Sequence, residues 1–230
     1  MQKIDFSDYK FRCSALGNLM VNPRSKSELV SETTKSYLLE VYIAEQFKRE
    51  REIESKYLDK GNYAEEDSLT LVTKQLDRLF VKNKDRLSND FICGTPDVIQ
   101  PNEIIDIKTS WDIWSFAKAD GSNKDYYYQL QGYMWLTERV KARLVYALVD
   151  TPEHLIVAEK SRQAYRLGIM GDDKALDEME TKLDTNMTYS DIPEDLRVKI
   201  FEFDYDQNAI EDLKQKIVNA RVYLNSLSGL

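Results

Sequence analysis

The sequence predicts an α/β (α+β) fold, a central mixed β-sheet flanked by helices. Three observations predict it. Two β-rich runs, 91–99 and 103–110, lie mid-chain around a Pro-Asn turn. Helical periodicities fill the sequence on both sides of them. No repeat and no Pro- or Gly-rich linker divides the 230 residues, which suits one large domain. The expected organisation is one domain over 1–230: a helical part over about 1–88, a sheet core over about 89–150, and C-terminal helices and a strand over 151–230.

The elements follow in order. A short helix is expected over 14–20 with Ser14 as its cap. Pro23 breaks the chain, and a charged helical region follows over about 28–57, with Leu38, Val41, Tyr42 and Glu45 or Phe47 fitting helical spacing imperfectly. Gly61 interrupts it. A second helix runs from about 62 to the early 80s, with Leu69, Val72, Leu76 and Leu79 or Phe80 on one face. The runs 91–99 and 103–110 form a hairpin closed by Gln100-Pro101-Asn102-Glu103, where Pro and Asn occupy the central turn positions. Asp125 opens a helix over 126–140, and 143–150 reads as a buried strand. Thr151 as cap and Pro152 as first helical residue start a helix to about 167. An acidic segment then precedes an alternating strand over 198–205 and an amphipathic helix over 207–227.

Scarce residues exclude whole chemistries. Hydrophobic residues make up 42% and aromatics 11%, which argues against disorder. His154 is the sole histidine, so a His-rich metal site is excluded, and its place in the first turn of a helix reads as structural. No two of the eight glycines are separated by a single residue, so neither G-x-G-x-x-G nor a Walker A loop can be written. Cys13 and Cys93 match no metal spacing and read as free thiols in a reducing cytoplasm, Cys93 within a buried strand. The longest apolar run is 144–149, and residues 1–10 are no signal peptide, so a soluble intracellular protein without membrane attachment is expected. The net charge is −8, but nine acids against Lys174 and Lys182 between Gly171 and Leu196 contribute −7. The remainder is close to neutral and free to carry a local basic groove.

The chemistry concentrates around the hairpin. Strand alternation places Asp106 and Lys108 on one face and Ile105 and Ile107 on the other. The hairpin brings Asp97 toward the same edge. Charges among Ile and Val are costly unless paired or bound to metal, and oxygen ligands without histidine favour Mg²⁺ or Mn²⁺. A buried Asp–Lys ion pair at a strand end is the plainer reading of the same spacing. Gln129 and Tyr133 stand one turn apart on a helix face, and Gly132 between them suggests a close approach by another group, although an ordinary packed helix also accounts for it. Glu65 opens a helix beside Glu66, as a macrodipole partner or as a further acid of the site.

Together, Gly61-x-x-x-Glu65, Pro96-Asp97, Asp106-Ile107-Lys108 and Gln129-x-x-x-Tyr133 resemble, in order and spacing, the PD-(D/E)XK nuclease superfamily. Within it the sequence is similar to the branch of RecB-like nuclease domains and phage lambda-type (YqaJ-like) exonucleases, over about 61–150. The resemblance implies a restriction-endonuclease-like core, with Asp97, Asp106, the Ile107 carbonyl and Glu65 around the metal and Lys108 as catalytic lysine. Glu66 replaces Glu65 if the register slips by one. Gln129 and Tyr133 would line the site. From the residues themselves, Arg12 and Ser14 suit a terminal phosphate at a helix start, with plain capping by Ser14 the simpler reading. Trp111, in a stretch of aromatics and lysines with Trp114 and Phe116, suits stacking on a single strand or packing back on the core.

The expectation is a Mg²⁺-dependent (or Mn²⁺-dependent) deoxyribonuclease. The resemblance implies 5′→3′ exonuclease action on free ends of double-stranded DNA in recombination, a homo-oligomeric, often trimeric ring, and a single-strand annealing protein as partner. Two readings compete: an endonuclease of repair or defence with the same chemistry, and a catalytically silent DNA-binding scaffold.

Overall fold

A short reversal sets the sheet. In the computed structural model, which describes residues 4–49, 56–169 and 173–227, Gln100 N donates to Glu103 O at 2.8 Å, as the Pro-Asn turn predicts. The elements run β1 (Phe11–Arg12), a 3-10 helix (Cys13–Leu19), α1 (Glu32–Phe47), α2 (Lys56–Tyr63), α3 (Glu65–Leu76), β2 (Leu87–Ser88), β3 (Ile92–Gly94), β4 (Val98–Ile99) and β5 (Ile104–Thr109). They continue with α4 (Ile113–Lys118), α5 (Lys124–Thr137), β6 (Lys141–Ala147), α6 (Glu153–Leu167), α7 (Asp173–Met187), a 3-10 turn (Glu194–Arg197), β7 (Val198–Asp204) and α8 (Gln207–Ser226).

The larger sheet is mixed and ordered β4-β5-β6-β7. β5 is antiparallel to β4 and parallel to β6, and β7 is antiparallel to β6. Alternation along β5 decides which side chains meet which layer. Ile105 and partly buried Ile107 pack with Leu71 and Val72 of α3, whereas Ile104 packs with Leu130 and Met134 of α5 and the inner face of α8. Asp106 and Lys108 share that second face with Ile104, toward α5. The sheet therefore lies between α3 and a layer built from α1, α5 and α8.

The run 91–99 is not one strand. Ile92–Gly94 pairs with β1 and β2 in a separate three-stranded sheet, and only Val98–Ile99 belongs to the hairpin. Pro96, which has no N–H to give a ladder, stands in the break between them. The N-terminal helices are also shorter than expected. α1 is capped by the Ser31 side chain and stops at Lys48, whose φ of 53° is left-handed. The expected stretch over 50–55 lies outside the described residues. Gly61 sits inside α2, and the break falls at Ala64. α3 ends at Asp77, with φ 47°, so Leu79 is 83% exposed rather than part of the buried stripe.

Three caps differ. Arg12, not Ser14, is the N-cap of the first helix, and no side chain caps it, because β1 leads directly into the turn. Asn123, not Asp125, caps α5 by accepting from Asp125 N and Tyr126 N. Pro152 is itself the N-cap of α6, one residue beyond Thr151. Gly132 does mark a close approach. A Cβ there would lie 2.7 Å from Leu16 Cδ1 and 3.0 Å from Cys13 Sγ, so glycine lets the first helix seat against α5.

Candidate active site

The corner between β3 and β5 aims the first acid. Asn83 holds that corner: its backbone N–H donates to Asp97 O at 2.7 Å and its side chain to Pro96 O at 3.0 Å. Asp97 Oδ2 then accepts from Ile107 N at 2.7 Å, locking the Pro-Asp corner onto β5. On that strand Asp106 is 2% exposed, and Lys108 Nζ lies 2.8 Å from its Oδ2. From α5, Gln129 Nε2 donates to Asp106 Oδ1 at 3.4 Å and to the Tyr133 hydroxyl at 3.0 Å. Its Oε1 accepts from Lys108 Nζ at 3.3 Å. Asp97, Asp106, Lys108, Gln129 and Tyr133 thus converge from β4's approach, β5 and α5.

Electrostatics mark the spot as short of positive charge. Burial pushes the Asp97 carboxyl up to about 7, and the neighbouring Asp106 carboxylate adds to it, against the Ile107 N–H and the Lys108 ammonium. Burial alone works to lower Lys108, yet the Asp106 contact outweighs it and the ammonium is raised. Burial and the Asp106 charge also raise Tyr133. Asp106 Oδ2 is buried and has no hydrogen bond, only the ammonium at ion-pair distance. A buried carboxylate oxygen whose one partner is an ammonium, beside a second, half-buried carboxylate, is what a hard divalent cation would satisfy. The donor set fits such an ion.

Glu65 opens α3 and raises Asp97 through its charge, so it stands near the site, while Glu66 is exposed. Its carboxylate, however, is held by Lys82. Among the described residues no three acidic, Cys or His side chains are gathered at metal-ligand spacing. The acids form a pair with Glu65 as an outlier.

A pocket of about 180 Å³ opens beside this centre, lined by Arg12, Ser14, Arg86 and Thr95 among others, with Tyr133 as shared wall. Arg12 stands opposite Cys93 in the β1–β3 register, and Arg86 Nη2 donates to Cys93 Sγ at 3.0 Å. Lys82, Asn83 and Arg86 fall outside every sequence motif of the site. They belong to an irregular stretch without periodicity, where the only signal was a cluster of basic residues before the sheet. Trp111 is half-buried and is not among the residues lining this pocket; its carbonyl accepts from the buried Lys60 at 2.9 Å. Exposed His154 meets Tyr63 edge-on, with ring centroids 4.6 Å apart.

This architecture is shared with solved structures. The phage-related exonuclease from Haemophilus somnus 129PT superposes with a TM-score of 0.76 at 27% identity, over 95% of this chain and 94% of that one. The chain carries the fold of the phage-type PD-(D/E)XK exonucleases. The alkaline exonuclease LHK-Exo from Laribacter hongkongensis shares the fold at 11% identity, over 96% and 90% of the two chains, with a TM-score of 0.63. Its complex with dAMP gives 13% identity, 94% and 88% coverage and a TM-score of 0.61. No protein-family model and no curated protein matches the sequence. Among the described residues no helix is long and apolar enough to cross a membrane.

Proposed function

We propose that the protein is a Mg²⁺-dependent (or Mn²⁺-dependent) deoxyribonuclease acting as an exonuclease on double-stranded DNA ends. The observation that carries this reading is the pair of buried Asp106 and half-buried Asp97 with Lys108 ion-paired to Asp106, one side chain away from an arginine-lined pocket. Asp97, Asp106 and the Ile107 backbone would hold the ion, with Glu65 released from Lys82 as a further acid. When bound, the ion supplies Lewis acidity, polarising a phosphodiester and acidifying an attacking water. Lys108 orients that water and neutralises charge developing on the phosphate. Gln129 fixes both Lys108 and Asp106, and Tyr133 accepts from Gln129 while walling the pocket.

The pocket argues for exonuclease over endonuclease action. The Arg12 and Arg86 guanidiniums and the Ser14 and Thr95 hydroxyls suit a terminal phosphate, and a seated strand end sets which bond reaches Lys108. A 5′→3′ polarity, a trimeric ring, a single-strand annealing partner, action in the cytoplasm and a single nuclease domain over 1–230 complete the reading by resemblance to the phage-type enzymes. Purified full-length protein with Mg²⁺ on linear and circular duplex DNA tests it. Loss of linear DNA alone is expected. Cutting of circles would indicate an endonuclease, and binding without digestion a silent scaffold.

A further inference from the structure

The three rings of the Tyr126-Tyr127-Tyr128 run at the start of α5 do different things. Tyr127 donates its hydroxyl to Asp206 Oδ2 at 2.8 Å, and Tyr128 packs edge-on against Tyr127 at 5.1 Å. Tyr126 alone turns to the reaction centre: Lys108 Nζ lies 4.7 Å from its ring centroid. Tyr126, Gln129 and Tyr133 stand at i, i+3 and i+7 of α5, so one helical stripe faces the catalytic strand.

The ring is braced. Lys108 is opposite Tyr146 in the parallel β5–β6 register. Tyr126 meets Tyr146 at 6.2 Å and 65°, and Tyr146 meets Phe201 at 6.0 Å and 85°. The far end is closed by Gly121, with φ +74°, where a Cβ would come within 2.7 Å of Phe201 Cγ. A ladder of three half-buried rings therefore runs from β7 across β6 to the ammonium.

We propose that Tyr126 is a positioning residue for Lys108, its ring face fixing the ammonium between Asp106 and Gln129. Lysine is a flexible stem with a compact charge, and two polar contacts leave its swing about the strand unopposed. An aromatic face attracts that charge and excludes water without offering a lone pair. With the ammonium ion-paired to Asp106 and donating to Gln129, it keeps an N–H for the phosphate or the attacking water. The inference rests on the nuclease reading for its kinetic consequence, but the geometry can be tested without turnover.

Two measurements on the full chain decide it. In protein labelled with ¹³C-lysine and free of divalent ions, the Lys108 Cε methylene, assigned by its loss in Lys108→Ala, is expected at an upfield, ring-current-shifted position. The shift should persist in Tyr126→Phe and vanish in Tyr126→Leu. With linear duplex DNA, Tyr126→Leu is expected to lower kcat about tenfold or more at unchanged KM, while Tyr126→Phe stays near wild type. An unshifted Lys108 methylene in the wild type overturns the proposal, whether or not the leucine variant folds. Wild-type kcat in Tyr126→Leu overturns it too, and an equal loss in Tyr126→Phe would transfer the role to the hydroxyl. Failure of the wild type to cleave any DNA would count against the nuclease reading and leave the methylene shift to decide the contact.

Discussion

Lys60 is fully buried and donates to the Trp111 carbonyl from beneath the Tyr189 ring, 5.2 Å from its centroid. Burial pushes its ammonium down to about 8, with Asp150 and Asp112 opposing. Between that value and the ordinary lysine range the unfolded chain holds a proton that the folded chain has released. Stability contributed by this group therefore rises with pH across the window, and below pH 8 its cost is about 3 kcal/mol. Urea unfolding of wild type and Lys60→Met at pH 7 and pH 10 checks this. The wild type should gain on the variant by up to about 3 kcal/mol at the higher pH, and a constant difference would show that the ammonium is not strained. A second residue-scale prediction concerns Lys108→Ala, expected to lower kcat roughly 100-fold or more with an unchanged circular-dichroism spectrum. Undiminished cleavage would remove Lys108 from the chemistry. Asp106 and Lys108 could be placed in advance because a strand has a fixed two-residue period. Lys82, Asn83 and Arg86 could not, since tertiary packing alone positions an irregular segment.

Elements were readable where a local rule was strong and unreadable where strands were short. The Pro-Asn turn, β6, β7, α5 and α8 follow from turn chemistry and periodicity. The sheet of β1, β2 and β3 does not, because runs of two or three residues carry no detectable alternation and owe their pairing to neighbours distant in sequence. Two glycines test the same distinction between local and tertiary control. Gly61 lies within α2 with nothing inside 4 Å of an added Cβ, so Gly61→Ala should stabilise the protein by roughly 0.5–1 kcal/mol through helix propensity. Gly132→Ala gains the same propensity but drives a methyl into Leu16 and Cys13, and the overpacking should cost about 1–3 kcal/mol. Thermal unfolding of the pair is expected to move in opposite directions. Equal shifts would mean that the first helix and α5 are less tightly seated than the contacts indicate.

Charge is partitioned across the whole molecule. Three acids of α7 and the following turn are met by cations of other elements, Asp184 and Glu180 by Lys160 and Glu194 by Lys74, at 2.9, 3.6 and 3.1 Å. Arg12 and Arg86 instead line the pocket. A net charge of −8 therefore coexists with a face suited to phosphate. Within the site, among the described residues, the three acids Asp97, Asp106 and Glu65 are met by the two ammoniums of Lys108 and Lys82, so carboxylates outnumber their ion-pair partners. Relieving that deficit should stabilise the entire fold. Mg²⁺ or Mn²⁺ well above its Kd is expected to raise Tm, at roughly 2–4 °C per kcal/mol of binding linkage, and EDTA should reverse the rise. Asp97→Asn removes one of the repelling carboxylates, so it should raise Tm of the metal-free protein while losing the response to the ion. Such a variant would separate stability from function, as expected where a site holds like charges together for a ligand. A wild-type Tm indifferent to both ions would leave the buried acids without the cation on which the nuclease reading depends.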